Sequence, residues 1–230
     1  MLYVTGDTHG ELDRFQSFKP KRPLFSKRKD VLIVCGDFGF LWDGGEAERK
    51  KLRWLSKRPY AVLFVEGTHD NLDLIRRFDP EPFCGGRARK VAENVWCLCR
   101  GEIFEIDGVR VFAMGGGETR DPDGREEGVG WWKEELPSPE ELLRARDNLR
   151  RAGDTVDVIV THESPARVGL LGGAAAEEPN ALDLFLDEVS RKVQYKRWYF
   201  GALHLDKPVT SKLTAVFRQI HPVSFPLDET

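Results

Sequence analysis

Leu2-Tyr3-Val4-Thr5-Gly6-Asp7-Thr8-His9-Gly10 sets a pattern that the rest of the chain repeats. A short apolar run is closed by Gly, and a carboxylate or imidazole stands just beyond it. Val31-Leu32-Ile33-Val34-Cys35 leads in the same way into Gly36-Asp37, and Ala61-Val62-Leu63-Phe64-Val65 into Glu66-Gly67-Thr68-His69-Asp70. Runs of this length and β-branched content read as buried strands entering tight turns. Polar side chains just past several strands gather at one edge of a sheet. In open α/β sheets that carboxyl edge is where sites form.

The intervening segments supply the covering layers. Leu12 and Phe15 repeat at helical spacing within 11–18, and Lys19-Pro20-Lys21-Arg22-Pro23 ends that helix in a loop. An amphipathic helix is predicted over 46–57, with Leu52 and Leu55 inward. A short one follows over 71–78, stopped by Pro80 and Pro82. Strands are predicted over 95–99, 102–106 and 109–114, the last two joined by an Asp107-Gly108 hairpin turn. Ser138-Pro139-Glu140-Glu141 is a capping box with Pro at the first helical position, opening a helix to about residue 152. A strand over 156–160 ends at Thr161-His162-Glu163. A Gly- and Ala-rich loop over 164–179 precedes a helix over 180–193. A strand over 196–200 then ends in Gly201-Ala202-Leu203-His204, and a last strand covers 213–220. With no repeat or linker, one domain over 1–222 with a tail over 223–230 is the economical organisation.

The chain has 230 residues, 40% hydrophobic and 32% charged, a composition that supports a substantial core and argues against disorder. No apolar run approaches the roughly 20 residues that span a bilayer, and the start lacks a basic-then-apolar signal segment. Cys35, Cys84, Cys97 and Cys99 fit no C-x-x-C spacing and read as buried free thiols, which suits a reducing cytoplasm. The net charge of -3 hides a basic stretch: Lys19, Lys21, Arg22, Lys27, Arg28 and Lys29, then Arg49 to Arg58. A basic face can draw a phosphate-rich or nucleic-acid partner. No aromatics interleave as in a single-strand groove, and a solvated face is the plainer reading. No feature specifies an oligomeric state.

Asp7, His9, Asp37, His69, His162 and His204 all stand just past strand ends, so four of the five histidines belong to this set. His221, before Pro222, lies outside it and reads as structural or surface. Mixed imidazole and carboxylate donors suit Mn, Fe, Zn, Co or Ni better than Ca or Mg. Asp7 and His9, two apart in an extended turn, can aim at one ion, and an Asp at a neighbouring strand end can bridge it to another.

The ordered series of Asp-x-His, Gly-Asp, Gly-x-His-Asp, His and a final His, from Asp7 to His204, resembles the calcineurin-like metallophosphoesterases, and a small bacterial member in particular. The resemblance implies a four-layer α/β/β/α sandwich of two mixed β-sheets flanked by helices. It implies a two-metal site and hydrolysis of phosphodiester or nucleotide-type phosphoester bonds by a metal-bound hydroxide. Carried over by position, Asp7, His9 and His204 resemble ligands of a first ion, Asp37 the bridging carboxylate and His162 a ligand of the second. His69, with Asp70 behind it, resembles the histidine that stabilises the transition state or protonates the leaving oxygen. An imidazole held by a carboxylate suits a general acid near neutral pH. Mn is the expected ion, with Fe, Zn, Ni or Co as alternatives, and no organic cofactor is implied.

Two positions depart from the family pattern. Thr68 stands where the family has Asn, and Ala202 where it has the first His of Gly-His-x-His. Both fall on the second site, which keeps Asp37 and His162, with Thr68, Glu163 or a water as auxiliaries. One firmly held ion and a second labile or absent one are therefore expected. Two readings stay open: an enzyme with a weakened second site, and a catalytically degenerate member that binds a metal or phosphate ligand without turnover. Retention of His69 and Asp70 favours the enzyme. Gly115-Gly116-Gly117 reads as a turn that could approach an anion. Arg120 and Arg167 lie in loops that could reach a phosphate. Trp131 and Trp132 read as packing or as a base-binding floor.

Overall fold

The computed structural model describes residues 1–22, 29–119, 126–165 and 178–225. β1 (Leu2–Thr5), β2 (Asp30–Cys35), β3 (Tyr60–Val65) and β6 (Val95–Leu98) lie parallel. Antiparallel β13 (His221–Pro222) flanks β1, while β5 (Gly86–Ala92) and β4 (Pro80–Phe83) extend the far side, giving the order β13-β1-β2-β3-β6-β5-β4. In the second sheet β8 (Val109–Met114), β9 (Val158–Thr161), β10 (Arg197–Phe200) and β12 (Leu213–Ala215) are parallel. β7 (Glu102–Ile106) and β11 (Lys207–Pro208) form its antiparallel edges.

Alternation along a strand sorts its side chains between two cores. On β2, Leu32 and Val34 face helices while Ile33 and Cys35 face the other sheet, as the two-residue period requires. Phe15 of α1 (Asp13–Ser17), Leu52 and Leu55 of α2 (Glu46–Leu55) and Leu72 and Ile75 of α3 (Leu72–Ile75) cover the first sheet. Leu142, Ala145 and Leu149 of α4 (Pro139–Arg151) and Phe185 and Val189 of α5 (Ala181–Lys192) cover the second. Between the sheets pack Val4, Ile33, Leu63, Phe104, Val111, Val158 and Tyr199. Each side chain of this size, fully buried, contributes roughly 1.5–3 kcal/mol. The result is the expected four-layer α/β/β/α sandwich. Strands covered on both faces need apolar residues at every position, which is why they read as unbroken runs.

Several boundaries differ from expectation for identifiable reasons. Asn180 is the N-cap of α5, accepting from Leu182 N and Asp183 N, rather than its first residue. The 71–78 helix contracts to α3, capped by Asn71. Pro80 and Pro82 do not stop the chain but build edge strand β4, where a missing N–H can face outward. The strand expected over 213–220 ends at Ala215, because the Phe217, Arg218 and Gln219 N–H groups donate to the Asp206 carboxylate (2.8, 2.9 and 3.1 Å) instead of a ladder. Only Cys35 and Cys97 are buried; Cys84 is exposed and Cys99 half-buried. Past Pro222, Val223 and Phe225 still pack against the inter-sheet core. Among the described residues no helix is long and apolar enough to cross a membrane. Lys27, Arg28, Arg120, Arg167 and most of the 164–179 loop lie outside the described residues.

Candidate metal centre

Parallel strands of both sheets deliver their C-terminal turns to one place. The turns after β1 and β2 are laced together: Thr8 N and His9 N both donate to Asp37 O (3.0 and 2.9 Å), and Gly10 N donates to Phe38 O (2.9 Å). Such close packing demands glycine at two neighbouring points. A Cβ at Gly67 would overlap the Asp37 carboxylate, and one at Gly201 the Asp7 carboxylate. His9, Asp37, Ala202 and His204 take φ values of 45°, 46°, 32° and 51°. Asp and His tolerate this left-handed region, whereas Ala202 there costs about 1–2 kcal/mol. Backbone strain gathered at one spot is typical of functional sites.

Asp7 is fully buried, and among the described residues neither of its carboxylate oxygens has a hydrogen-bond partner. His204 Nε2 approaches Asp7 Oδ2 to 2.8 Å, off the hydrogen-bonding direction. His9 Nε2 lies 3.4 Å from His204 Nε2, and His9 Nδ1 4.0 Å from Asp37 Oδ2. One donor atom from each of Asp7, His9, Asp37 and His204 lies within 4.8 Å of the others. Burial raises the Asp7 carboxyl, and the nearby histidines oppose that shift. Burial also lowers His9 in spite of both aspartates, which favours the neutral imidazole a metal requires. A buried carboxylate with no donor costs several kcal/mol unless a cation compensates it. Two imidazoles and two carboxylates around such a group fit a divalent transition ion.

The other half of the centre is sparser. His162 is buried, with Nε2 3.7 Å from Asp37 Oδ1 and Nδ1 3.8 Å from Asp7 Oδ1. Burial pulls its pKa down, but Asp37 and Asp7 outweigh it and bring the group to about 9. Burial would raise Asp37, yet His162 and hydrogen bonds from His69 hold it below the usual carboxylate range. Thr68 Cγ2, Glu163 Oε1 and His162 Cδ2 surround Gly117, where a side chain would strike the first two. The last residue of the Gly115–Gly117 turn thus faces the centre. The Thr68 hydroxyl lies 3.3 Å from His69 Nδ1. The residues present fit a first ion completely and a second only in part.

His69 and Asp70 sit differently from the expected dyad. The carboxylate that holds the His69 ring is Asp37, with Nδ1 2.9 Å from Oδ2, and Asp37 Oδ1 also accepts the His69 main-chain N–H (2.8 Å). Asp70, fully buried, accepts N–H groups from Phe38 (3.2 Å), Gly39 (2.9 Å) and Gly67 (3.0 Å). It knits the β2 and β3 turns together. Burial, then Asp37, raises it to about 7 against those three donors. His9, His69 and His204 are 36%, 47% and 49% exposed, so they form the open face in front of buried Asp7, Asp37 and His162.

Two contributors carry no local sequence signal. The Arg14 guanidinium donates to Thr5 Oγ1 (3.2 Å), Gly6 O (2.8 Å), Asp7 O and Phe217 O. The Phe217 ring stacks on His204 at 4.6 Å and 19°. Trp132 is core: buried, edge-on to Trp42 at 5.7 Å, its Nε1 donating to Asp73 (3.0 Å). His221, expected to be structural or surface, pairs with Asp206 at 3.3 Å.

A family model described as calcineurin-like phosphoesterase matches residues 1–205. Among solved structures, phosphopantetheinyl hydrolase (PptH) from Mycobacterium tuberculosis is similar with TM-score 0.50 and 15% identity, over 94% of this chain and 89% of that one. The protein of unknown function AQ665 from Aquifex aeolicus aligns at TM-score 0.35 and 15% identity, over 85% and 87%. No curated protein matches the chain in sequence. At 15% identity the likeness to the hydrolase structure speaks for the fold alone. The family match spans every strand-end residue from Asp7 to His204, on the sandwich that brings them together. The chain belongs to the calcineurin-like phosphoesterase family and is a phosphoester hydrolase.

Proposed function

We propose that the protein hydrolyses phosphodiester or nucleotide-type phosphoesters at this strand-end centre, with one divalent ion held firmly and a second weakly. The observation that carries this reading is the buried, donorless Asp7 carboxylate facing His9 and His204. Asp7, His9, Asp37 and His204 would hold the first ion, and Asp37 with His162 the second. Mn is the preferred ion, with Fe, Zn, Ni or Co as alternatives. Such an ion, when bound, supplies Lewis acidity, acidifying water and offsetting charge on phosphoryl oxygens.

The chain's own residues supply orientation and proton handling. Asp37 orients His69 through both its ring and its main-chain N–H. With Nδ1 committed to Asp37, Nε2 is the ring atom that donates the proton to the leaving oxygen. Asp70 acts through the backbone, fixing the turns that carry Asp37 and His69. The exposed faces of His9, His69 and His204 leave the substrate's entry side open. The buried Cys35 and Cys97 thiols suit a reducing, cytoplasmic setting.

Purified protein incubated with Mn, Fe, Zn, Ni or Co and with bis-p-nitrophenyl phosphate or p-nitrophenyl phosphate tests the reading. It predicts metal-dependent turnover that a His69→Ala variant loses. The eroded second half, Thr68 and Ala202, supports the alternative of a non-catalytic metal or phosphate-ligand binder. Turnover no greater than that of His69→Ala with every metal, alongside one retained ion, would decide for that alternative.

A further inference from the structure

Resting on the two-ion phosphoesterase reading above, we propose that the buried Arg100–Glu66 ion pair positions the weaker half of the centre, setting the gap between the turns that carry Thr68 and Gly117. Arg100 lies on the connection from β6 to β7, where the chain passes from one sheet to the other. Glu66 is the first residue past β3 and leads directly into Gly67-Thr68-His69. The metal centre itself uses neither side chain.

Arg100 Nε donates to Glu66 Oε2 at 2.6 Å, and both side chains are buried. Nη1 donates to Glu134 O (2.9 Å) and to Glu141 Oε2 (3.3 Å). Burial works against the guanidinium charge, but Glu66 and then Glu141 outweigh it and raise the group above its ordinary value. Nη2 is buried as well, and among the described residues it has no hydrogen-bond partner. A buried ion pair with a donor left over is a poor source of stability, since apolar side chains of similar volume often serve as well or better. What the pair provides is direction.

The place it fixes is the seam between the sheets. The Glu66 carbonyl accepts the Gly116 N–H (2.8 Å), and a Cβ at Gly115 would overlap Glu66 N. A Cβ at Gly116 would overlap Glu135 O and come within 3.3 Å of Arg100 Cζ, so the guanidinium lies against the backbone of that turn. The next residue, Gly117, abuts Thr68 Cγ2, Glu163 Oε1 and His162 Cδ2. Thr68 comes from the first sheet and His162 from the second, and Arg100 is bound to the backbone on both sides of the join. Contacts of this kind, one layer behind the ligands, govern how well an ion is held. The first-ion half has a separate clasp: Arg14 donates to Gly6 O, Asp7 O and Phe217 O, and the Phe217 ring stacks on His204. Loss of the Arg100–Glu66 pair therefore releases the second ion and spares the first.

Mn titration of the chelator-stripped chain, read by the electron spin resonance of free Mn, gives a Kd for each ion without substrate. Arg100→Met/Glu66→Met removes both charges at similar volume, so the thermal midpoint stays close to the native one. The second-ion Kd rises by roughly tenfold, and the first-ion Kd stays within about twofold. At fixed Mn, kcat on bis-p-nitrophenyl phosphate falls while KM holds, and excess Mn restores most of kcat, which a merely loosened fold would not allow. Glu66→Gln keeps an acceptor for Arg100 Nε; it weakens the second ion by a smaller factor and answers the same question if the double variant does not fold. A second-ion Kd unchanged in these variants, or both ions weakened alike, overturns the proposal alone. A native chain that takes no second ion at millimolar Mn overturns it together with the two-ion part of the reading. Native protein without hydrolysis, but with selective loss of the second ion in the variants, counts against the phosphoesterase reading and leaves the positioning role standing.

Discussion

His204 Nε2 and Asp7 Oδ2 stand 2.8 Å apart at a buried carboxylate that has no hydrogen-bond donor of its own. With His9 and Asp37 beside them, these groups form a donor set that fits a divalent cation. Mn added to chelator-stripped protein therefore raises the thermal midpoint, by linkage worth about 2.7 kcal/mol at a hundredfold excess over Kd. In Asp7→Asn the metal-dependent increment disappears. The stripped variant is at least as stable as stripped native protein, because a buried carboxylate without a hydrogen-bond donor is gone. Thermal unfolding with and without Mn checks both halves.

Arg14 ties the turn carrying Asp7 to the turn whose ring supports His204. Arg14→Ala is expected to cost about 2–3 kcal/mol in denaturant unfolding, as hydrogen bonds from a charged donor are lost. It should also weaken Mn binding measured by titration. Arg14→Lys keeps the charge but not the fork, so it restores less than half of either loss. Unchanged Mn affinity in Arg14→Ala would confine the residue to folding.

Asp157 offers a pH test away from the centre, at the N-terminal end of β9. Burial would raise its carboxyl, but the Arg110 N–H (2.9 Å) and Lys196 Nζ (2.9 Å) outweigh it and hold the group below its ordinary value. A depressed folded-state pKa stabilises above the unfolded value of about 3.9 and ceases to do so as pH falls through the folded one. Asp157→Asn is thus less stable than native protein at pH 7 by about 1 kcal/mol. The gap closes on acidification below about pH 4. Denaturant unfolding across that range measures it, and a gap independent of pH would refute the electrostatic account.

The strand-end residues are legible in the sequence because doubly covered parallel strands must be apolar throughout, so each Gly-Asp or His after such a run stands out. Asp7, Asp37, His162 and His204 were findable on that ground, and the Ser138 capping box likewise lies within one short window. The sheet pairing is not legible, since it depends on contacts between distant segments. β4 is hidden by Pro80 and Pro82, whose breaking effect vanishes on an edge strand. Arg14 resembles any charge on a short helix until Phe217, 203 residues away, comes beside it. Asp70 adjoins His69 in sequence, yet its oxygens turn to backbone donors and leave the ring to Asp37.

Thr68→Asn with Ala202→His should convert the sparse half into a fuller one. Ala202 already holds the left-handed conformation that His204 also adopts, so His there needs no backbone change. The double variant is expected to bind a second Mn with at least tenfold higher affinity and to turn over faster. Metal titration with parallel kinetics reads both. A second ion gained without faster turnover would show that the sparse half does not limit the chemistry.

The most direct measurement is the metal content of the purified, extensively dialysed chain, set beside its hydrolysis of bis-p-nitrophenyl phosphate, for native protein and Asp7→Asn. The prediction is about one transition ion per native chain, none in Asp7→Asn, and hydrolysis that disappears with the ion. Two ions held equally tightly, or hydrolysis that persists in Asp7→Asn, would contradict it.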